Sequence, residues 1–381
     1  MFRNDVNLET LAIQVTRFHD ANAAAVSAPI YLSSTFERDA EGNLPHGYLY
    51  SRSNNPNRDA LEKSLAILEG GTLGLTFGSG MAAIAAVFQA FRPGDHVITT
   101  PFAYYAAQRL LVDIFQPWGL EFSLVDTSNI EEVEKNIRPT TKLFWLETPS
   151  NPLLHITDLE AMARLAHSVG AICAVDNTWA TPILQNPIEL GADIVMHSTT
   201  KYFGGHSDVL GGALVLAQES ELSQRLRQIQ NLTGGIPSPF DCWLISRGIQ
   251  TMPLRVKAQS ASALPIAQWL ETHPAVARVY YPGLMSHAGY EIAKTQMKNG
   301  FGGMLSFEVK GGLTEARKVA GALKIFTQAT SLGGVESLIE PRKIYEGPDS
   351  PTPDGLLRVS IGLEHPDDLI ADLDQALKKL N

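Results

Sequence analysis

An α/β fold with a mostly parallel central sheet, helices on both faces and a smaller C-terminal α/β domain is the class this sequence predicts, on three observations. Short apolar, β-branched runs alternate with helical patterns over much of the chain, which is the signature of parallel strands joined by helices. The 381 residues are 44% hydrophobic and 18% charged, enough apolar surface for more than one core. After about Phe240 the pattern changes to a long helical stretch followed by scattered short strands.

Taken in order, Met1 to Asp20 mixes charged and polar residues without the apolar run of a signal peptide. Asn22 to Asn57 is rich in Ser, Pro, Tyr and Asn and lacks periodicity, so residues 1–60 are expected to form an extended arm. Residues 61–243 carry the main sheet, with strands expected at Leu73–Phe77, His96–Thr99, Glu121–Val125, Lys142–Leu146, Ile172–Val175, Ile194–His197 and Ala213–Leu216. A helix is expected over Leu159–Ser168, where Leu159, Met162, Ala163 and Ala166 form one stripe and Gly170 supplies a stop. Residues 244–381 form the smaller domain: a helical stretch through Trp269, strands at Val276–Tyr280 and Met304–Val309, further helices, and a last strand at Leu357–Ile361. Gly347–Pro353 reads as a loop.

Charge and composition exclude several classes. The excess of 40 acidic over 30 basic side chains leaves −10, the wrong sign for a nucleic-acid partner. No stretch reaches the ~18 apolar residues of a membrane span, so no membrane partner is expected and the cytoplasm is the expected compartment. Cys173 and Cys242 lie among apolar or aromatic neighbours and read as buried thiols. No H-E-x-x-H, paired C-x-x-C or G-x-S-x-G occurs, so neither a metal site nor a serine hydrolase is expected.

Three segments carry chemistry. Phe77-Gly-Ser-Gly-Met-Ala-Ala83 leaves a strand and opens a helix, a place where backbone N–H groups meet an anion such as phosphate. Its glycines also fit a loose dinucleotide pattern, but the following strand ends in threonines rather than an acid, which weakens a nicotinamide-dependent oxidoreductase. In His197-Ser-Thr-Thr-Lys201 the lysine stands just past a buried strand, with hydroxyls one and three residues before it. An isolated lysine is ordinarily solvated. Here the hydroxyls can donate to a phosphate while the amine forms a Schiff base with an aldehyde, the chemistry of pyridoxal phosphate (PLP). Asp176 ends the preceding apolar strand, at the same sheet edge, where a carboxylate could keep the pyridine nitrogen protonated.

With these segments the sequence resembles the Cys/Met-metabolism, transsulfuration PLP enzymes: cystathionine γ-synthase, the cystathionine γ- and β-lyases and methionine γ-lyase. The resemblance runs from about Thr16 to the C-terminus. It rests on Tyr50-Ser-Arg52 with Asn55-Pro56, Ser79-Gly-Met81, Glu147-Thr-Pro-Ser-Asn-Pro152, Val175-Asp-Asn-Thr178, Ser198-Thr-Thr-Lys201, Ser331-Leu-Gly-Gly-Val-Glu336 and Leu357-Arg-Val-Ser-Ile-Gly-Leu-Glu364.

The resemblance implies a fold-type I PLP-dependent transferase. Lys201 would hold the cofactor covalently, Asp176 would pair with its ring nitrogen and Tyr104 would stack on it; Gly80, Met81, Ser198 and Thr200 would bind its phosphate. Tyr50 and Arg52 would reach the phosphate of a neighbouring subunit, giving a homotetramer built as a dimer of active-site-sharing dimers. Asn151, Ser331 and Arg358 would hold the substrate α-carboxylate, Arg358 as a bidentate fork, with Leu49, Arg109 and Glu336 near the distal end of a small amino-acid substrate.

This chain departs from the family's pattern in three places. Tyr104-Tyr-Ala-Ala107 replaces the usual Tyr-Gly-Gly-Thr/Ser; Leu49 stands where cystathionine-cleaving members often carry an acid; and Glu340-Pro-Arg-Lys-Ile-Tyr-Glu-Gly-Pro348 replaces a Pro-x-x-Met-Thr-His stretch. Arg342, Lys343 and Tyr345 in that last segment read as surface residues. The expected activity is γ-replacement on an O-acyl homoserine by cysteine, favoured over β-elimination by Glu336. The alternatives are a γ-lyase acting on cystathionine, methionine or an O-substituted homoserine such as canavanine, and a PLP-binding protein without turnover.

Overall fold

The computed structural model describes residues 6–17, 20, 23–347 and 350–380. Residues 1–5, 18, 19, 21 and 22 of the expected arm and Pro348 and Asp349 of the expected loop lie outside the described residues; within that arm Leu8–Val15 is a helix, with Leu11 and Ala12 buried.

Seven strands form the main sheet: β1 (Leu73–Phe77), β2 (His96–Thr99), β3 (Glu121–Leu124), β4 (Thr141–Glu147), β5 (Ile172–Asp176), β6 (Ile194–His197) and β7 (Gly212–Leu216). Their order is β1-β7-β6-β5-β4-β2-β3, and only β7 runs against the rest. The inner strands are buried along almost their whole length because helices cover both faces, so their sequences read as unbroken apolar runs. The covering helix Leu159–Ser168 buries the expected stripe and starts where the Asp158 side chain accepts the Ala161 N–H at 2.9 Å. Both cysteines are buried and free.

The helical stretch after Phe240 is two helices, Pro239–Ile249 and Met252–Thr272. The break falls at Gln250 and Thr251, and Pro253 lies in the first turn of the second helix, where its missing N–H leaves no intrahelical bond unmade. A second sheet follows, made of β8 (Val276–Tyr280), β9 (Met304–Val309), β10 (Thr327–Gln328), β11 (Leu338–Pro341) and β12 (Leu356–Ser360), in the order β10-β11-β12-β9-β8. Leu305, Phe307, Leu357 and Val359 face a core closed by Ile266, Leu270, Leu369 and Leu373 from the helices. The alternation of β12 turns Arg358 and Ser360 to the opposite face, toward the main sheet.

The sequence reading contains neither β10 nor β11. Both are very short, and β11 carries a glutamate and a proline that mask any alternation. Among the described residues no helix is long and apolar enough to cross a membrane.

Candidate active site

The parallel register lays the C-terminal ends of β4, β5 and β6 side by side, pairing Glu147 with Asp176 and Asp176 with Met196. Ligands of open α/β sheets bind beyond such strand ends. Here a cavity of about 510 Å³ opens over them, closed from the other side by Arg358 of the second sheet and by the segments that join its strands.

One end of the cavity suits an anion. Ser79 caps the helix Gly80–Gln89 by accepting the Ala82 N–H at 3.1 Å, and helix geometry leaves the N–H groups of Gly80 and Met81 without intrahelical partners. A side chain at Gly80 would put its Cβ 3.0 Å from Ser198 Cβ, so glycine lets the helix start close against β6. Ser198 is held by its own N–H, which donates to Thr178 Oγ1 at 2.9 Å. The Thr200 hydroxyl accepts the Gly211 N–H at 3.1 Å and donates to the Gly211 carbonyl at 3.3 Å. Ser79, Gly80, Met81, Ser198 and Thr200 all line the cavity.

The centre holds the titratable groups. Lys201 Nζ donates to Ser331 Oγ at 2.8 Å, and burial, reinforced by the nearby Arg358 cation, lowers its pKa from 10.5 to about 8. Asp176 is buried at the end of β5, where desolvation raises its pKa although Oδ1 accepts the Thr178 N–H at 3.0 Å. Glu147, at the matching end of β4, is pushed well above the usual carboxylate range by burial and by Asp176. Its Oε2 accepts the Tyr104 N–H at 2.6 Å and so tethers that residue at the cavity wall. Sequence reasoning assigned Glu147 no role, although its strand-end position matches that of Asp176.

On the facing wall, Arg358 Nη1 donates to Asn151 Oδ1 at 3.1 Å and Nη2 to the Ser331 carbonyl at 3.2 Å. Ser331 adopts φ +91°, a left-handed conformation costly for a residue with a side chain and characteristic of functional positions. Burial lowers the Arg358 pKa to about 10, with Arg342 adding to the effect.

The remaining expected residues are placed differently. Leu49, Tyr50 and Arg52 do not line the cavity of their own chain; Arg52 Nη1 instead donates to the Asn231 carbonyl at 2.7 Å. Arg109 lies in an adjoining hollow of about 430 Å³ and pairs with Asp113 at 2.7 Å. Glu336 is not among the cavity-lining residues and accepts the Ser207 hydroxyl. The surface reading of Arg342 is corrected, whereas Tyr345 is exposed as expected and Lys343 is half-buried. Arg342 is buried against Glu340 and Glu346, and Arg342, Tyr345 and Glu346 line the cavity, while Lys343 Nζ donates to the Ser350 carbonyl at 2.6 Å. The charge of Arg342 suggested solvent; its two carboxylate partners lie only two and four residues away, and it is the packing of Glu340 against Arg358 of the neighbouring strand that takes them inside.

This cavity fits PLP: orphan N–H groups for a phosphate, a lysine amine for an aldehyde and a buried carboxylate for a ring nitrogen. The comparisons agree. A cystathionine gamma-lyase of Bacillus subtilis (strain 168) is 47% identical, the alignment covering 98% of this chain and 99% of that one. A cystathionine gamma-synthase of Mycobacterium tuberculosis (strain ATCC 25618 / H37Rv) is 46% identical over 97% of this chain and 96% of the relative. The crystal structure of metB from Corynebacterium glutamicum superposes with a TM-score of 0.97 at 43% identity, covering 100% of both chains. The family model for Cys/Met metabolism PLP-dependent enzymes matches residues 9–378. The cofactor is therefore PLP rather than a nicotinamide, the architecture is fold-type I, and this chain belongs to the Cys/Met metabolism PLP-dependent enzyme family.

Proposed function

We propose that this enzyme catalyses γ-replacement on an O-acyl homoserine, with cysteine as the incoming thiol. The observation that carries the reading is the convergence of Lys201, Asp176 and the Arg358–Asn151 pair on one cavity. When bound, PLP supplies an aldehyde that captures the substrate amine and a ring that accepts the electron pair left at Cα.

The chain's own residues do the rest. Gly80, Met81, Ser198 and Thr200 would bind the phosphate, Asp176 would hold a proton on the ring nitrogen and Tyr104 would stack on the ring. Arg358, supported by Asn151 and Ser331, orients the substrate by its α-carboxylate. Lys201, its amine substantially neutral near pH 8, takes the proton from Cα and moves it onward as the γ-substituent leaves. Addition of the thiol at Cγ completes replacement; hydrolysis instead releases 2-oxobutanoate and ammonia, the γ-lyase outcome that the Bacillus subtilis relative's name supports.

Leu49, Tyr50 and Arg52 serve the cavity of a neighbouring subunit in a cytoplasmic homotetramer. This reading is supported by their position on an arm outside their own cavity, and by the exposure of Val26 and Leu32 on the same arm. Arg109, in the adjoining hollow, meets a distal carboxylate of the acyl group, and Glu336 acts from the cavity's surroundings. Product analysis with O-acyl homoserines, cystathionine, methionine and canavanine, each with and without cysteine, tests the assignment. Cysteine-dependent cystathionine formation is expected, and its absence with every O-acyl homoserine overturns the replacement reading.

A further inference from the structure

Arg358 belongs to a buried chain of charges whose other members the proposed reaction does not use. Glu340 stands directly opposite Arg358 in the β11–β12 register. Its Oε1 accepts from Arg358 Nη2 and, at 2.9 Å, from Arg342 Nη1. The other edge of Arg342 faces Glu346, with Nε and Nη2 donating to Oε1 at 3.0 and 2.7 Å. Glu346 Oε2 then accepts from the hydroxyls of Ser350 at 2.7 Å and Thr352 at 2.5 Å. The four charged side chains are between 1% and 7% exposed.

Two cations and two anions balance before any substrate arrives. A carboxylate directly across from Arg358 is also a competitor for it: alone, Glu340 could place both oxygens on that guanidinium, as a substrate carboxylate does. Arg342 draws on the same Glu340 oxygen, so the anion is divided between two cations and Glu340 Oε2 is left without a partner instead of lying on Arg358. Arg358 thereby keeps its Nη1 edge on Asn151, beside the cavity. Glu346 fixes Arg342 from behind, and both line the cavity.

We propose that Arg342 is a positioning residue for α-carboxylate recognition: it shares Glu340 with Arg358, so that Arg358 remains available to the substrate. The inference rests on the role proposed above for Arg358. It also gives a purpose to the segment in which this chain departs from the family's pattern.

The test uses holoenzyme and two small probes, glycine and methylamine, which differ by the carboxylate; binding is followed by the change in cofactor absorption. Arg342→Met is expected to lower the preference for glycine over methylamine by about tenfold or more, the scale of a weakened charged hydrogen bond. Adding Glu340→Gln to it should recover most of that preference, because the competing anion is gone. An unchanged preference, equal weakening of both probes, or no recovery in the double variant overturns the proposal. Should Arg342→Met fail to fold, Glu346→Gln decides: a smaller loss of preference is expected, and none overturns it. Arg358→Met is the control. If that variant keeps the parent's preference, the α-carboxylate role of Arg358 fails; if it loses the preference while the Arg342 and Glu346 variants keep it, only the positioning role fails.

Discussion

Arg358→Met is also the most direct perturbation of the Lys201 amine. Lys201 is driven from 10.5 to about 8 chiefly by burial and then by the Arg358 cation, while Glu340 pulls the other way and Arg342 adds to the lowering. A pKa of about 8 leaves about 9% of the amine neutral at pH 7, against about 0.03% for an ordinary lysine, a gain of about 300-fold in the form that attacks an aldehyde. Replacing Arg358 by methionine keeps the volume and removes one cation, and it also leaves Glu340 one fewer cation to neutralise. Both changes favour the ammonium, so the pKa should rise, and each unit of rise costs about tenfold in neutral amine below the midpoint. The assay is the rate at which cofactor-free protein takes up PLP, followed by absorption as a function of pH. The parent's rate should climb with pH and level off near 8, and the variant's midpoint should lie higher. A parent midpoint near that of free lysine, or a midpoint that falls in the variant, would refute the reasoning.

Four further outcomes are expected. Lys201→Ala should abolish turnover and borohydride trapping of the cofactor, and Asp176→Ala should retain some cofactor but lose most activity; near-normal rates in either variant remove the assigned roles. Arg52→Ala should weaken cofactor binding, and mixing it with Lys201→Ala should regenerate hybrid sites with activity. No recovery after demonstrated subunit exchange means that Arg52 does not serve a neighbour's site. Leu49→Glu should raise kcat/KM for cystathionine cleavage relative to γ-replacement, because it supplies an anion for the distal ammonium that is costly to bury alone. Efficient cleavage by the parent, unchanged in the variant, shows that Leu49 does not face the substrate.

The parts of the site legible in the sequence are those defined by local pattern. Asp176 and Lys201 follow apolar runs whose length marks buried strands, and a residue just past such a run must emerge at the sheet edge. The Ser79 to Met81 turn announces a helix start by its small residues, and the Leu159–Ser168 helix by its stripe. The facing wall is another matter. Asn151 and Arg358 are 207 residues apart, and no local signal says that they touch; the family resemblance supplied that pairing. Arg342 shows the physical reason most clearly. A guanidinium carries the same charge wherever it stands, so its sequence neighbourhood reads as solvent. Its counter-charges are near in sequence, Glu340 two residues before it and Glu346 at the end of the short helix Lys343–Glu346, but its burial is decided by the register of β11 on β12, which sets Glu340 against Arg358. Periodicity reports which face of an element is apolar, whereas the pairing of buried charges depends on the register between elements that only the folded chain establishes.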